Sequence, residues 1–255
     1  MYAKQLFRHA IKINIIIHNP AQPFTQRDAG GLGQSRDRAL TKDELTTVFQ
    51  VLNANTDIFT RDNYLAFCML LLLGVRKGEL ISAKWEHFDI KKCLWNMPDD
   101  NKTGVAITIP LPPACMAILI ELHIRACGSE YLFPARRASK RRGYISDDTL
   151  NHALAKIFGL KVDGNKQPYP NLLGNAGIEH FTIHDLGRTC RSLLASLGVH
   201  GYIAERCLNH KLKGVEGIYN RHDYLAERKD ALKKLSTYLA DVINYNPINL
   251  NKYEL

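Results

Sequence analysis

The amino-acid sequence predicts a mainly α-helical fold with one small antiparallel β-sheet, an α+β architecture. Three observations predict it. Apolar residues recur at three- and four-residue intervals along most of the chain, which is the helical period. Two short stretches, 93–97 and 105–111, instead alternate with period two around the turn-rich "PDDNKTG", the pattern of a β-hairpin. The longest apolar run, "LAFCMLLLLGV" at 65–75, is too short to span a bilayer and reads as a buried helix.

The elements follow in order. Residues 2–16 predict a short helix, and the Pro-, Gly- and Gln-rich stretch 18–39 has the composition of a linker. At "LTKDEL", Thr41 and Glu44 have capping-box spacing, and Leu45, Val48, Phe49 and Leu52 continue at helical intervals. A second helix is predicted over 61–73. In the hairpin, Val105, Ile107, Ile109 and Leu111 share one face. Helical patterns resume at 113–126 and 147–158, and the Gly/Pro/Asn-rich stretch 159–180 predicts a long, mobile or inserted loop. In "FTIHDLGRTCRSLLASLG", Thr182 is the expected cap, with Asp185 three positions on and Leu186, Cys190, Leu193 and Leu197 facing the core. A short helix ends near Cys207, and a long amphipathic one runs from 223 to 242.

Composition narrows the function classes. Of 255 residues, 45% are hydrophobic, enough for a real core, and the net charge of +9 points to an anionic partner, nucleic acid first. A solubilising surface is the plainer reading of that charge. The basic residues cluster in "ARRASKRRG", where Arg136, Arg137, Lys140, Arg141 and Arg142 are candidates for phosphate contact. Six cysteines are scattered without a C-x-x-C pair, so neither a disulfide frame nor a zinc site is expected, and no metal ligands are assigned. No signal peptide or membrane span is read, and a cytoplasmic protein is expected.

Four places put a cation or a nucleophile where structure alone does not ask for one. Arg76 in "GVRKGEL" directly follows the buried helix; alone, it reads as a snorkelling arginine or a partner for Glu79 at i+3. Lys102 sits at the hairpin tip, where an exposed lysine is ordinary. His184 falls in the first turn of its helix, where the dipole disfavours an imidazolium unless an anion binds. A neutral core histidine is the alternative. His210 and Tyr219, nine positions apart, lie in "LNHKLKGVEGIYNRHDY", a basic, glycine-punctuated stretch without core periodicity. Tyr219 could equally be a ring packed over a loop.

Taken together, these residues resemble the tyrosine recombinase family, the phage-type integrases, over about residues 41–240. "GVRKGEL" resembles the box of the first catalytic arginine, "NKTGVAITIPL" the hairpin with the catalytic lysine, "HDLGRT" the His-x-x-Arg box, and "LNH" with "IYNRHDY" the second histidine and the nucleophile. The resemblance implies that Tyr219 attacks a DNA phosphodiester to give a 3′-phosphotyrosyl link and a free 5′-hydroxyl. Arg76, His184 and His210 would serve the phosphate, and Lys102 would be the general acid. His222 and Tyr224 fall outside the pattern and are expected to be structural. No cofactor is implied. Double-stranded DNA attachment sites are the expected partner, with a tetramer on DNA and a monomer free in solution. Residues 1–17 would be the last helix of a truncated DNA-clamping domain, 18–40 a linker, 41–245 the catalytic domain and 246–255 a tail.

One position departs from the family pattern. Arginine is expected three residues after His184, and the residue there is Gly187. Arg188, the candidate substitute, is rotated by about 100° around a helix from the vacated direction. Two function classes follow: a site-specific strand-exchange enzyme, impaired by the missing guanidinium, and a DNA-binding integrase relic. A type IB topoisomerase shares the chemistry, but the linker and the context of the boxes argue against it.

Overall fold

The core is organised around one helix that is apolar on every side. In the computed structural model, which describes residues 2–25, 27–28, 30–31, 37–136, 142–160, 167–210 and 222–243, this is α3 (Arg61–Leu73). Every residue from Asn63 to Leu73 is buried. A helix of this kind must be surrounded, and α3 is. It contacts α4 (Lys77–Ile81), α5 (Pro113–Ala126), α8 (Asp185–Ser196) and α10 (Leu225–Tyr238). Arg61 fixes its start by donating two hydrogen bonds to Glu121 of α5, at 2.8 and 2.7 Å.

The chain divides into two compact units, Met1–Asp37 and Arg38–Leu255. The first holds α1 (Tyr2–Lys12), which buries none of its residues and is shorter than the expected 2–16. Within that unit Lys4 Nζ donates to the Gln22 carbonyl at 2.9 Å, and Asn19 Nδ2 to the Lys4 carbonyl at 3.0 Å.

In the second unit α2 (Lys42–Ala54) begins on the predicted capping box. Thr41 Oγ1 accepts from the Glu44 N–H at 3.2 Å, and the Glu44 carboxylate accepts from the Thr41 N–H at 2.9 Å. Leu45, Val48, Phe49 and Leu52 face the core, as their spacing predicts. The sheet has three antiparallel strands in the order β1 (Phe88–Asp89), β2 (Leu94–Met97), β3 (Ile107–Pro110). Phe88 pairs with Trp95 and Trp95 with Ile109, and the Phe88 and Trp95 rings stack at 5.1 Å. The first strand is unanticipated because two residues carry no readable period.

Val105 is the clearest departure in the hairpin. The alternation puts it on one face with Ile107, Ile109 and Leu111, but it is 59% exposed, because pairing stops at Met97↔Ile107 and residues 98–106 form a separate turn. The 147–158 helix is α6 (Thr149–Ile157), and the 159–180 stretch contains a short α7 (Leu172–Asn175) capped by Asn171. Residues 161–166 lie outside the described set. The expected 223–242 helix breaks at Leu239 into α10 and α11 (Ala240–Ile243). Among the described residues no helix is long and apolar enough to cross a membrane.

The exit from α3 positions the site. Gly74 closes the helix at φ +65, its N–H bonding the Leu70 carbonyl at 2.9 Å. A Cβ on this residue would lie 2.9 Å from both Cys190 Sγ and Leu208 Cγ. The missing side chain therefore lets α8 and the end of α9 (Gly201–Cys207) close on the exit of α3, two residues before Arg76. Gly74→Ala combines a left-handed non-glycine residue with an overpacked contact and should destabilise the fold by about 2 kcal/mol or more. Urea unfolding measures this; a midpoint equal to the parent's would contradict the close approach.

Candidate active site

Arg76 leaves the core in extended conformation (φ −73, ψ 146) and caps α4. Glu79, whose side chain is 5% exposed, accepts from the Arg76 N–H at 3.0 Å and from Nη1 at 2.9 Å. The plain reading of Arg76 as a partner for Glu79 thus holds, and it serves the other reading. A buried carboxylate pins the guanidinium in one orientation. The second arm, Nη2, donates to the carbonyl of Asn209 at 3.3 Å, next to His210.

Arg76 and Lys102 line one cavity of about 550 Å³, with Arg142, Tyr144 and Asp100 on its walls. Lys102 is exposed on a turn held by Asn101. The Asn101 amide donates to the Pro98 and Val105 carbonyls at 2.6 and 2.7 Å, and its oxygen accepts from the Thr103 N–H at 2.8 Å.

His184 is the N-cap of α8 rather than part of its first turn, and Thr182 is not the cap. Asp185, fully buried, reaches back instead: its Oδ2 accepts from the Thr182 N–H and hydroxyl, both at 2.8 Å. Its other oxygen pairs with Arg188. Burial raises the Asp185 pKa, but the Thr182 and Arg188 hydrogen bonds outweigh it and hold the carboxyl below the usual range. His184 is also held below its ordinary value, first by partial removal from water and then by the charges of Arg188, Lys102 and His210; Asp185 opposes them. Groups from three different segments thus bear on its protonation.

Gly187 is the third residue of α8. Among the described residues, a Cβ built there would meet only the Gly74 carbonyl oxygen, at 3.9 Å. The vacated direction therefore points at the exit of α3, and a Cβ there clashes with none of the described residues. Arg188 points elsewhere, onto Asp185.

His210 follows α9 and is oriented by a residue that the sequence reading missed. Its Nδ1 lies 2.7 Å from Glu205 Oε2, and Arg191 Nε donates to Glu205 Oε1 at 2.8 Å. Burial opposes ionisation of Glu205, yet the bonds from Arg191 and His210 keep its carboxyl below the usual range. Glu205 thus engages Nδ1 and fixes the ring's orientation, with Nε2 on the opposite edge. The available signal was an acidic residue near the end of the helix that leads into a histidine.

Of the other assigned residues, Arg142 lines the cavity and donates to Asp147 at 2.8 Å. Arg136 donates to Thr60 Oγ1 at 2.8 Å, before the start of α3. Arg137, Lys140, Arg141 and Tyr219 lie outside the described residues. His222 and Tyr224 pack edge to face at 4.6 Å, and Tyr224 packs on Tyr202 at 5.2 Å, in keeping with structural roles.

Comparison with known proteins points the same way. The profile of the phage integrase family matches residues 38–225. Prophage integrase IntA of Escherichia coli (strain K12) is 27% identical over 169 residues, 66% of this chain and 36% of that protein. The integrase of Enterobacteria phage P4 is 28% identical over 166 residues, 58% of this chain and 36% of its own. The matched stretches thus span about a third of these relatives' length. In fold, the chain is similar to a lambda integrase dimer bound to a COC′ core site, with a TM-score of 0.56 and 20% identity, covering 87% of this chain and 57% of that one.

The buried Asp185 gives a pH-dependent expectation. Because its folded pKa is lowered, its contribution to stability is complete above the unfolded value of 3.8 and is lost as pH falls through the folded value. Asp185→Asn should therefore lower the melting temperature at pH 7, and the gap to the parent should narrow on acidification. A gap independent of pH would show that the carboxylate's charge does not stabilise the fold.

Proposed function

The chain belongs to the phage integrase family, and from that membership we propose that it is a site-specific recombinase, cutting and rejoining DNA through a 3′-phosphotyrosyl intermediate. The observation that carries the reading is the cavity shared by Arg76 and Lys102 at the exit of α3; the Arg76 guanidinium bonds the carbonyl next to His210, and Gly187, three residues after His184, faces the Gly74 carbonyl.

The chemistry asks for these groups. A phenol of pKa ~10 is about three units from neutral pH, so full ionisation costs roughly 4 kcal/mol. Cations reduce that cost and stabilise the charge growing on the non-bridging oxygens. Arg76 suits the phosphate because its planar fork engages two oxygens and stays charged. His210, oriented by Glu205, and His184 donate to the phosphate or relay a proton. Lys102, on a turn rather than in the core, reaches the leaving 5′-oxygen and protonates it. Tyr219 is the nucleophile; the bond energy is kept in the covalent link, so the reaction needs no energy-supplying cofactor.

Double-stranded attachment-site DNA is the proposed partner. The +9 charge and the basic 136–142 stretch support electrostatic binding, with Arg142 reaching the cavity itself. Assembly as a tetramer on DNA is proposed from a fold similar to lambda integrase, which has been seen as a tetramer bound to a Holliday junction. The DNA-binding relic remains the second reading because Gly187 leaves one donor missing. Losing such a donor typically slows the reaction on the order of 10²–10³-fold.

Two experiments test this. On a nicked suicide duplex, any covalent adduct should vanish in Tyr219→Phe and persist in Tyr224→Phe; the reverse pattern would reassign the nucleophile. Gly187→Arg should raise cleavage by about two to three orders of magnitude, with DNA affinity changed much less, because the gain belongs to the transition state. Arg188→Ala should leave the remaining activity unchanged, since Arg188 is held on Asp185. Loss of that activity in a variant that keeps the parent's melting temperature and DNA affinity would show that Arg188 replaces the missing residue.

A further inference from the structure

Asn209 lies between two groups of the proposed site and has no part in the chemistry derived above. It is 7% exposed and adopts φ +51, a left-handed conformation that glycine adopts without strain and asparagine tolerates. Its carbonyl accepts from Arg76 Nη2 at 3.3 Å. Its amide Nδ2 donates to Glu79 Oε1 at 3.5 Å and approaches Met97 Sδ, at the end of β2, at 3.8 Å. Its side-chain oxygen lies 3.4 Å from the Thr103 hydroxyl, the longer arm of a donor shared with Asn101. Thr103 is next to Lys102, and Asn209 itself is next to His210. One buried side chain thus touches Glu79, the Met97 end of β2 and Thr103 inside the turn that carries Lys102, while its backbone carbonyl holds Arg76.

The backbone alone does not account for the residue. Glycine would meet the left-handed conformation with less strain, so the contacts of the amide are what asparagine adds. None of these bonds is short, but the group is buried and its partners belong to two segments distant in sequence from each other and from Asn209, the Arg76–Glu79 turn and the 97–103 part of the hairpin. We propose that Asn209 is a positioning residue: its side chain registers the Lys102 turn against Arg76–Glu79 and His210, holding the general acid in line with the phosphate grip. The proposal rests on Lys102 acting as the general acid.

The test uses Asn209→Gly, which keeps the backbone conformation and removes only the side chain. The substrate is a nicked suicide duplex whose core is selected from a random pool by binding to this chain. It is made with either an oxygen or a sulfur at the bridging 5′ position. A thiol of pKa ~8.5 leaves without a donated proton, whereas an alkoxide needs one. Asn209→Gly should therefore slow single-turnover cleavage of the oxygen substrate by about ten- to a hundred-fold, the scale of a small misplacement, and that of the sulfur substrate by no more than about threefold. Lys102→Ala is the control. If sulfur fails to rescue Lys102→Ala, the general-acid assignment is wrong. If it rescues Lys102→Ala but not Asn209→Gly, or if Asn209→Gly has no defect, the positioning role is overturned. Both series are repeated in the Gly187→Arg background. A second readout needs no cleavage: amide hydrogen exchange at 101–105 should quicken in Asn209→Gly while α3 stays protected. Unchanged exchange at the turn would overturn the proposal in any background.

Discussion

Everything in the site depends on how closely α8 and α9 approach the end of α3. That helix is buried on all sides, so its exit is a fixed point of the fold rather than a surface feature. Gly74 makes the approach possible because Cys190 and Leu208 occupy space that any side chain would claim. The approach brings the start of α8, with His184 and Gly187, to the segment that carries Arg76. It also brings the end of α9, with Asn209 and His210, to the same place. A few ångströms of slack here would part Arg76 from the Asn209 carbonyl and the start of α8 from the exit of α3.

Carboxylates then orient these cations. Glu79 holds Arg76, Glu205 holds His210, Asp185 holds Arg188, and Asp147 holds Arg142. The pairs differ in worth. Arg142–Asp147 is exposed on both sides and is worth little in water. Glu79 and Asp185 are buried, and losing either would leave a guanidinium without its orienting partner. For Arg76 and His210 the proposed phosphate role would make this preorganisation, because a carboxylate fixes each group before any anion binds. For Arg188 it is the opposite, since its carboxylate competes with any role at a phosphate. His184 is biased towards its neutral form, first by partial removal from water and then by its charged neighbours.

Much of this was legible in the sequence because the physics that writes it is local. The all-apolar run, the capping box at Thr41 and Glu44, and the alternation at 107–111 each specify an element from neighbouring residues alone. The hairpin's shared face was read too long at Val105, since nothing local marks where pairing stops and an asparagine-organised turn begins. β1 was missed because a two-residue strand exists only through its partner. For the site, family-like spacing located Arg76, Lys102, His184 and His210, while the groups that orient them were harder to read. Glu79 was noticed only as a rival explanation for Arg76, and Glu205 and Asn209 were not singled out. Asn209 acts through contacts across long sequence separations, 130 residues to Glu79, while Glu205 is only five residues from His210 but that spacing alone does not mark it. The start of α8 was misplaced for a related reason: Asp185 caps backwards, so Thr182 looked like the cap when it is a donor.

The central claim is that the exit of α3 is a phosphate site. A crystal structure of the chain bound to its selected core duplex tests this most directly. The account predicts a backbone phosphate in the cavity shared by Arg76 and Lys102, within hydrogen-bond distance of the Arg76 guanidinium and an imidazole nitrogen of His184 or His210. DNA bound elsewhere on the surface, with Arg76 contacting only Glu79 and Asn209, would contradict it.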